Sequence, residues 1–242
     1  MNTTDMRRAV VTGGSRGLGL ALTSELTDRG WHVVIDGRDA AVLATAVAGL
    51  AHPERVTAIA GDVADPIHRA ALADAAGPSL DLLVNNASVL GAVPMPTLAT
   101  YPLDDLVHAF CVNTVAPLHL VQLLLPALRR VTGRAVGPAG GRVINVTSDA
   151  SLNAYATWGG YGATKAALDL FTAVLAEENP ELRWYALDPG DMATDLAAAA
   201  GEDPAGRPAP ETVVPALLRL IEAPLSSGRY TAAELAPIGA AR

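Results

Sequence analysis

Residues 9–19 read Ala-Val-Val-Thr-Gly-Gly-Ser-Arg-Gly-Leu-Gly, a short apolar run followed at once by a glycine-rich turn. The run predicts a buried strand, and Leu18, Leu22 and Leu26 then recur at helical spacing before Gly30, a candidate C-cap. Glycines 13, 17 and 19 lack the Cβ atoms that would keep the backbone from turning tightly beside a pyrophosphate at a helix N-terminus. The stretch therefore predicts a strand, a phosphate-binding turn and a helix, although the spacing Gly-x-x-x-Gly-x-Gly by itself also fits a merely tight turn.

The same alternation of short β-branched runs with longer alanine- and leucine-rich segments continues along the chain. Several of the runs carry almost no polar residue, as expected for parallel strands that are buried on both faces. The pattern predicts one doubly wound α/β domain over residues 1–242, with a lid-like segment at about 191–210 that is rich in proline and glycine after residue 200. The predicted strands are residues 9–11, 32–35, 56–60, 80–84, 142–146 and 182–187.

Composition excludes several classes of protein. The chain has 242 residues, 50% of them hydrophobic and 17% charged, with a net charge of −8, which fits one compact domain and leaves no basic surface for nucleic acid. Cys111 is the single cysteine and the five histidines have no ligand-like spacing, so we expect neither a disulfide nor a metal site. We see no signal peptide and no stretch of about 18 uncharged apolar residues, so we expect a cytoplasmic protein without a membrane span.

Ser148, Tyr161 and Lys165 are separated by 13 and 4 positions. Tyr161 and Lys165 lie one turn apart on any helix that contains both, so the ammonium group can sit beside the phenol. A tyrosine next to a fixed cation is a candidate proton donor. Ser148 alone could be a polar residue that ends a strand, but the three residues together predict a hydride-transfer enzyme.

These motifs together make the chain similar to the short-chain dehydrogenase/reductase family, over roughly residues 8 to 230. The resemblance is to the shorter, single-domain branch, and it implies a seven-stranded Rossmann-like sheet, a nicotinamide cofactor and carbonyl/alcohol chemistry. The matching residues, in the family's order, are Thr12-Gly-x-x-x-Gly-x-Gly19, Asp62-Val63, Asn85-Asn86-Ala87, Asn113, Ser148, Tyr161-x-x-x-Lys165 and Pro189-Gly190.

The resemblance also implies roles for four residues. Ser148 would hydrogen-bond the substrate oxygen, Tyr161 would donate the proton, and Lys165 would lower the phenol's pKa and hold the nicotinamide ribose. The main-chain carbonyl of Asn113 would hold a water molecule of the proton relay. The sequence adds its own reason, because Pro117 lacks the N–H that the Asn113 carbonyl would otherwise bond in a helix, although this proline alone fits an ordinary kink equally well.

The choice of cofactor depends on the end of the second predicted strand, where NAD enzymes of the family usually carry an acid. Gly37 takes that place, Asp36 comes one residue early and should point elsewhere, and Arg38 and Arg16 suit a 2′-phosphate. We therefore expect NADP(H), while an Asp36–Arg38 surface pair is the alternative. The residues expected to bind the cofactor are Gly13, Ser15, Arg16, Gly17, Leu18, Gly19, Gly37, Arg38, Asp62, Val63, Asn86, Ala87, Tyr161, Lys165, Pro189, Gly190 and Thr194.

One residue departs from the family pattern, because Ser88 replaces the glycine that usually follows Asn85-Asn86-Ala87. Its side chain should lie close to where the cofactor ribose passes. The departure leaves the family resemblance intact and raises a question about the local geometry of the cofactor site.

The substrate pocket should be formed by loops at the carboxyl ends of the strands, over residues 90–95, 149–158 and 191–210. Leu152, Tyr155, Trp158 and Met192 would make it apolar and partly aromatic, which suits a bulky or ring-bearing substrate. We expect an NADPH-dependent reductase that converts a ketone or aldehyde to an alcohol, reversibly. The alternatives are an NAD-linked alcohol dehydrogenase and a non-catalytic NADP(H)-binding sensor or scaffold.

The segments 118–128 and 162–176 are apolar almost all the way round. One sheet cannot cover every side of a helix, so a second subunit is the natural cover. We therefore expect a homodimer or homotetramer, and family members pair through these helices.

Overall fold

The computed structural model describes residues 6–131, 140–203 and 205–236. Residues 1–5 and Pro204 of the predicted lid lie outside the described residues. Within the described residues, seven strands form one parallel sheet in the order β3-β2-β1-β4-β5-β6-β7. The strands are β1 (Arg8–Val11), β2 (His32–Gly37), β3 (Val56–Ala60), β4 (Leu82–Asn85), β5 (Arg142–Val146), β6 (Arg183–Asp188) and β7 (Gly228–Thr231).

Helices flank the sheet on both faces, which confirms the predicted doubly wound α/β fold. One apolar core joins α1 and α8 to the sheet, and a second joins α3 and α5 to its opposite face. The helices are α1 (Gly17–Asp28), α2 (Ala40–Ala48), α3 (Pro66–Ala76), α4 (Leu103–Phe110), α5 (Ala116–Arg129), α6 (Gly159–Glu178), α7 (Asp195–Ala199), α8 (Val214–Glu222) and α9 (Ala232–Leu235). Short 3₁₀ helices occupy Pro53–Arg55, Leu98–Thr100, Asp149–Ser151 and Pro210–Val213.

The six predicted strands are present with small shifts at their ends. The seventh strand, β7, escaped prediction because its four residues, Gly-Arg-Tyr-Thr, contain no apolar run and are all partly exposed. It lies at the edge of the sheet beside β6. An edge strand needs no continuous apolar sequence, since one side of it faces solvent.

A π-helical segment, Cys111–Val115, joins α4 to α5, so that Leu103–Arg129 forms one continuous helix of 27 residues. Its length and mean hydropathy of 1.5 are those of a membrane span, but 56% of its most apolar window is buried within the protein. Leu120, Val121, Leu124 and Leu128 pack in the core beneath the sheet. This is therefore a core helix of the domain.

Helices α5 and α6 are not covered on all sides within one chain. Leu123 on α5 and Leu170 and Val174 on α6 are exposed, and so are Leu103 and Val107 on the neighbouring α4. We call these five residues the apolar helix face. The sequence predicts that α5 and α6 need a cover beyond the sheet, and within one chain this side of the helices lies on the surface.

Candidate active site

The glycine-rich turn between β1 and α1 has the conformation that its glycines predict. Gly13 and Gly17 have φ angles of 68° and 54°, in the left-handed region that favours glycine. A Cβ atom on Gly19 would lie 2.3 Å from the carbonyl oxygen of Gly13, so only glycine allows α1 to start this close to the turn. The turn thus brings backbone N–H groups to the N-terminus of α1, where they can bind phosphate.

Side chains that follow β4 support this turn. The Asn86 side chain donates to the carbonyl oxygens of Thr12 and Gly13, at 2.8 and 3.2 Å. The Thr12 hydroxyl accepts from the backbone N–H groups of Asn86 and Ala87, at 3.0 Å each. Asn86 was predicted to bind the cofactor; it lines the groove, but its amide group is used to hold the glycine turn.

A groove of about 1590 Å³ runs along the carboxyl edge of the sheet, past the glycine turn and on to Tyr161 and Lys165. Most residues predicted to bind the cofactor line it: Gly13, Ser15, Arg16, Gly17, Leu18, Gly37, Arg38, Asp62, Val63, Asn86, Ala87, Tyr161, Lys165, Pro189 and Thr194. Gly19 lies behind the turn, and Gly190 lines the adjoining pocket. The structure thus places 15 of the 17 predicted residues around one groove.

Asp36 is among the residues that line the groove, but its side chain is directed at the glycine turn and at His68. Its carboxylate is buried, accepts from the Gly13 backbone N–H at 2.6 Å, and lies 3.1 Å from Nε2 of the buried His68. The alternative of a surface pair between Asp36 and Arg38 is therefore wrong. A Cβ atom on Gly37 would lie 3.0 Å from the Ser15 side chain, so a larger residue there would crowd the groove.

The two arginines predicted to bind a 2′-phosphate differ in their surroundings. Arg38 is exposed at the edge of the groove. Arg16 forms an ion pair with Asp195, at the start of α7, with 2.5 Å between Nη1 and Oδ2. Because Asp195 follows Arg16 by 179 residues, nothing in the local sequence indicates this partner. Arg16 must leave Asp195 before it can bind a phosphate with the same N–H groups.

Ser148, Tyr161 and Lys165 meet where the groove joins a second pocket. Ser148 follows β5 and caps a short 3₁₀ helix, accepting from the Ala150 backbone N–H at 3.2 Å and donating to the Asp149 carboxylate at 3.2 Å. Tyr161 and Lys165 lie on α6. The Lys165 ammonium donates to the Val146 carbonyl oxygen at 2.8 Å and lies 5.6 Å from the centre of the Tyr161 ring.

Burial dominates the pKa values of this pair. Loss of solvation raises the pKa of Tyr161 to about 12; the Ser88 hydroxyl lowers this pKa, the carboxylates of Asp188 and Asp149 raise it further, and the Ser148 hydroxyl lowers it. Burial lowers the pKa of Lys165 from 10.5 to about 8, partly opposed by Asp169. The Lys165 ammonium is directed at a main-chain carbonyl in this geometry, and the expected lowering of the phenol's pKa by Lys165 stays a prediction.

Asn113 lies in the π-helical segment and is fully buried, behind Tyr161 rather than in the groove. Its side-chain oxygen accepts from the Val89 backbone N–H at 2.9 Å. Its side-chain N–H groups donate to the Val89 carbonyl oxygen at 2.8 Å and to the Thr164 hydroxyl on α6 at 2.9 Å. Pro117 follows in the same helix and has no N–H for the Asn113 carbonyl oxygen. π-Helical turns such as this one are frequently found at functional sites.

The second pocket has a volume of about 370 Å³ and opens beside Ser148 and Tyr161. Tyr155, Trp158 and Met192 line it as predicted. Leu152 does not, since it is 67% exposed on the surface, and the part of residues 90–95 that lines a cavity, Leu90, Gly91 and Val93, faces the groove instead.

The expectation of an apolar pocket is also wrong. Among the described residues, Asp149, Asp188, Asp191 and Glu202 line its wall together with one cation, Arg207. The Arg207 guanidinium is 3.2 Å from the Asp191 carboxylate and 3.1 Å from Glu202, so its charge is already paired. The Asp149 carboxylate accepts from the Tyr155 hydroxyl at 2.7 Å. The wall therefore carries an excess of negative charge, which the aromatic residues in the sequence did not reveal.

A charged group that sequence analysis missed lies beneath Ser148. Arg229, on the unpredicted strand β7, donates to the Ser148 carbonyl oxygen at 3.1 Å and pairs with Asp188 at 3.2 Å and Asp169 at 3.3 Å. Asp169 also accepts from the Ser151 hydroxyl at 2.6 Å. The network connects β6, β7 and α6 under Ser148, and the only local signal for it is the arginine within the short run at residues 228–231.

Comparison with known proteins adds a family match. The sequence profile described as short chain dehydrogenase matches residues 7–205. The rhamnolipid biosynthesis 3-oxoacyl-[acyl-carrier-protein] reductase of Pseudomonas aeruginosa is 32% identical over 215 residues, covering 86% of this chain and 82% of that protein. The L-xylulose reductase of Mesocricetus auratus is 32% identical over 200 residues, covering 82% of this chain and 77% of that protein.

A solved structure is similar over nearly the whole fold. A short chain dehydrogenase from Shigella flexneri, solved in complex with NADP, superposes with a TM-score of 0.82 at 25% sequence identity, covering 94% of this chain and 97% of that one.

Proposed function

Since the chain belongs to the short-chain dehydrogenase family, and is thus an oxidoreductase that acts between CH–OH and C=O groups, we propose that it reduces a ketone or aldehyde to an alcohol with NADPH. The observation that carries the proposal is that Tyr161 lines both cavities, the long groove and the smaller pocket. A proton donor at this junction can reach an oxygen atom in the pocket while a nicotinamide lies in the groove. The same site would catalyse the reverse oxidation.

The groove fits a nicotinamide dinucleotide. The left-handed Gly13 and Gly17 form a turn at a helix N-terminus, where a pyrophosphate can bind the backbone N–H groups. Asp62 and Val63 line the part of the groove expected to hold the adenine, and Lys165 and Thr194 line the part expected to hold the nicotinamide and its ribose. When bound, NADPH would supply the hydride that reduces the carbonyl carbon.

Three features support NADP(H) over NAD(H). Gly37 leaves room for a phosphate where an acid would bind ribose hydroxyls, and the nearby Asp36 carboxylate is turned into the protein. Arg38 is exposed beside that position. A guanidinium can bind a phosphate through two N–H groups at once, which favours the phosphorylated cofactor.

The catalytic residues divide the chemistry between them. The Ser148 hydroxyl, on leaving Asp149, would donate to the substrate's carbonyl oxygen and hold it beside Tyr161. The Tyr161 O–H bond would break as its proton passes to that oxygen, which becomes the alcohol. The Lys165 ammonium would stabilise the phenolate left behind. Because burial lowers the pKa of Lys165 to about 8, the lysine is charged mainly below that pH unless a bound anion or the phenolate raises its pKa.

The pocket wall supports a substrate without negative charge. Asp149, Asp191 and Glu202 outnumber the one already paired cation, Arg207, so a carboxylate or phosphate on the substrate would be repelled at close range. We propose a neutral or cationic carbonyl compound, with room for one ring beside Tyr155 and Trp158.

A matched series of aldehydes tests the function and its charge preference together. The compounds are para-tert-butylbenzaldehyde, its trimethylammonium analogue of nearly the same shape, and para-carboxybenzaldehyde. Oxidation of NADPH by purified protein should follow the order cation, neutral, anion in kcat/KM. Turnover of none of them or of a broader carbonyl panel, despite tight NADPH binding, would favour a non-catalytic sensor, while an NADH preference would favour an NAD-linked dehydrogenase.

We further propose that residues 191–210 act as a lid and that the protein is a cytoplasmic homodimer or homotetramer. Met192 and Thr194 line both cavities, so movement of this segment would open both. The apolar helix face defined above presents exposed leucine and valine side chains on adjacent helices, which a second copy can cover. Cys111 carries a free thiol, as suits a reducing compartment.

A further inference from the structure

Arg229 extends from the edge strand β7 to the peptide that carries Ser148. Its side chain is partly buried, and Nη2 donates to the Ser148 carbonyl oxygen at 3.1 Å. The same nitrogen lies 3.2 Å from the Asp188 carboxylate at the end of β6, and Nε lies 3.3 Å from the Asp169 carboxylate on α6. One guanidinium therefore contacts the segment after β5, the end of β6 and the helix that carries Tyr161.

The two carboxylates connect Arg229 to further parts of the site. Asp188 uses its other oxygen to accept from the Gly190 backbone N–H at 3.0 Å, and Gly190 lines the smaller pocket. Asp169 accepts from the Ser151 hydroxyl at 2.6 Å, on the short 3₁₀ helix that follows β5. The loops after β5 and β6 are thus both connected to α6 through the same cation.

The orientation of Ser148 depends on its main chain. Its hydroxyl bonds the neighbouring Asp149 and Ala150, and the bond to Asp149 has to break before the hydroxyl can donate to a substrate. The Ser148 carbonyl oxygen has two lone pairs, which accept from the Ser151 N–H at 3.1 Å and from Arg229. Arg229 follows Ser148 by 81 positions, so this bond fixes the peptide relative to elements outside its own loop.

We propose that Arg229 is a positioning residue for this site: it holds the peptide of Ser148 at a fixed place relative to α6, so that the serine hydroxyl and Tyr161 meet the same substrate oxygen. The inference rests on the proposed function of these two residues. Arg229 lines neither the groove nor the smaller pocket, so it acts through Ser148 rather than on the substrate. A misplacement of about 1 Å in such an arrangement can reduce the rate by roughly 100-fold.

Two variants remove the guanidinium, and a third serves as control. Arg229→Gln leaves two carboxylates without their cation, whereas Arg229→Gln combined with Asp169→Asn keeps the net charge of the cluster and so guards against misfolding caused by charge repulsion. Arg219→Gln is the matched control, because Arg219 also donates to a main-chain carbonyl, that of Leu235 at 3.3 Å, and lines neither cavity.

The position of the Ser148 peptide can be measured by NMR without a substrate. The chain contains a single Ser-Asp pair, Ser148-Asp149, so isotopic labels at the serine carbonyl carbon and the aspartate nitrogen report on this peptide alone. Its resonance should move in Arg229→Gln and in the double variant, because the carbonyl oxygen loses a donor, and should stay in place in Arg219→Gln. A resonance that stays in place in both Arg229 variants would overturn the proposal.

Kinetics test whether the position of this peptide matters to catalysis. With the best substrate found, Arg229→Gln should lower kcat by roughly ten- to a hundredfold, while the Kd for NADPH changes by less than about twofold. In a Ser148→Ala background the same substitution should change kcat by less than about twofold, because the hydroxyl that Arg229 positions is already absent. Equal losses in both backgrounds would reduce Arg229 to a structural residue and refute the positioning role. A wild-type protein that turns over no carbonyl compound would count against the proposed function instead, and the labelled peptide would still decide whether Arg229 holds Ser148.

Discussion

Arg38→Ala should weaken the binding of NADPH much more than that of NADH. Arg38 is exposed at the edge of the groove, beside Gly37 and away from the buried Asp36 carboxylate, so its guanidinium is available to a 2′-phosphate that NADH lacks. Hydrogen bonds to a charged group contribute about 1.5 to 3 kcal/mol. Exposure to water and salt places Arg38 near the lower end, which corresponds to roughly tenfold in Kd.

The ion pair between Arg16 and Asp195 sets the expected order of the other variants. Their side chains are 58% and 73% exposed, and such a pair contributes about 0 to 1 kcal/mol. Arg16 must give up this pair to bind phosphate, so Arg16→Ala should cost less NADPH affinity than Arg38→Ala. Asp195→Asn frees Arg16 and should tighten NADPH binding by up to about fivefold, with little change for NADH.

Isothermal titration calorimetry with both cofactors, at two salt concentrations, measures these effects. Arg129→Ala and Glu181→Gln are matched controls, because they remove the same charges from an exposed ion pair whose members do not line the groove. Equal losses for NADPH and NADH in Arg38→Ala would show that the guanidinium does not bind the 2′-phosphate. A wild-type preference for NADH would refute the reasoning about Gly37 and Asp36 as well.

Three other predictions concern the acid, the lysine and the surface. Tyr161→Phe should reduce kcat to below a few per cent of wild type while NADPH affinity stays nearly the same, because the hydroxyl acts in the transition state; substantial remaining turnover would require another proton donor. Lys165 is the single lysine of the chain, so isotopic lysine labelling and NMR should show one side-chain titration near pH 8 rather than 10.5. Folding disfavours the charged form of Lys165, so Lys165→Met should raise the free energy of unfolding at pH 7 by about 3 kcal/mol. This gain in stability should fade as the pH rises from 8 to 10.5, where the lysine of the unfolded chain also loses its proton. A gain that does not change with pH would contradict a buried charge on Lys165. Leu170→Asp should reduce the mass measured by light scattering to that of a 24.8 kDa monomer, whereas Ile67→Asp, at a still more exposed apolar residue on α3, should not; a monomeric wild type would refute the proposed assembly.

Features that depend on neighbours in the chain were predictable. The glycine turn follows from the absence of Cβ atoms at Gly13, Gly17 and Gly19, and six of the strands follow from continuous apolar runs. The inward direction of Asp36 follows from the two-residue alternation of a strand, since Gly37 next to it faces the groove side. The spacing of Tyr161 and Lys165 likewise fixes their shared side of α6.

The partners of these residues were not predictable. Each partner comes from a distant segment, and the side chains meet only after the sheet is assembled. Arg16 pairs with Asp195, Asp36 contacts His68, and the Ser148 carbonyl oxygen accepts from Arg229. Strand β7 carries no apolar signal because it is a partly exposed edge, and the pocket's negative charge arises from residues spread over 191–207 and at Asp149.

The sequence by itself determined the parallel α/β fold, the glycine-rich turn and the shared side of Tyr161 and Lys165 on one helix, because each depends on local backbone sterics or on periodicity along the chain. Only the tertiary structure decided the direction in which the pKa of Tyr161 moves, the pairing of Arg16 and the hydrogen bond between Ser88 and Asn113. Burial and the pairing of charges depend on how closely separate segments approach, and that distance is set by the packing of helices on the sheet rather than by any spacing along the chain.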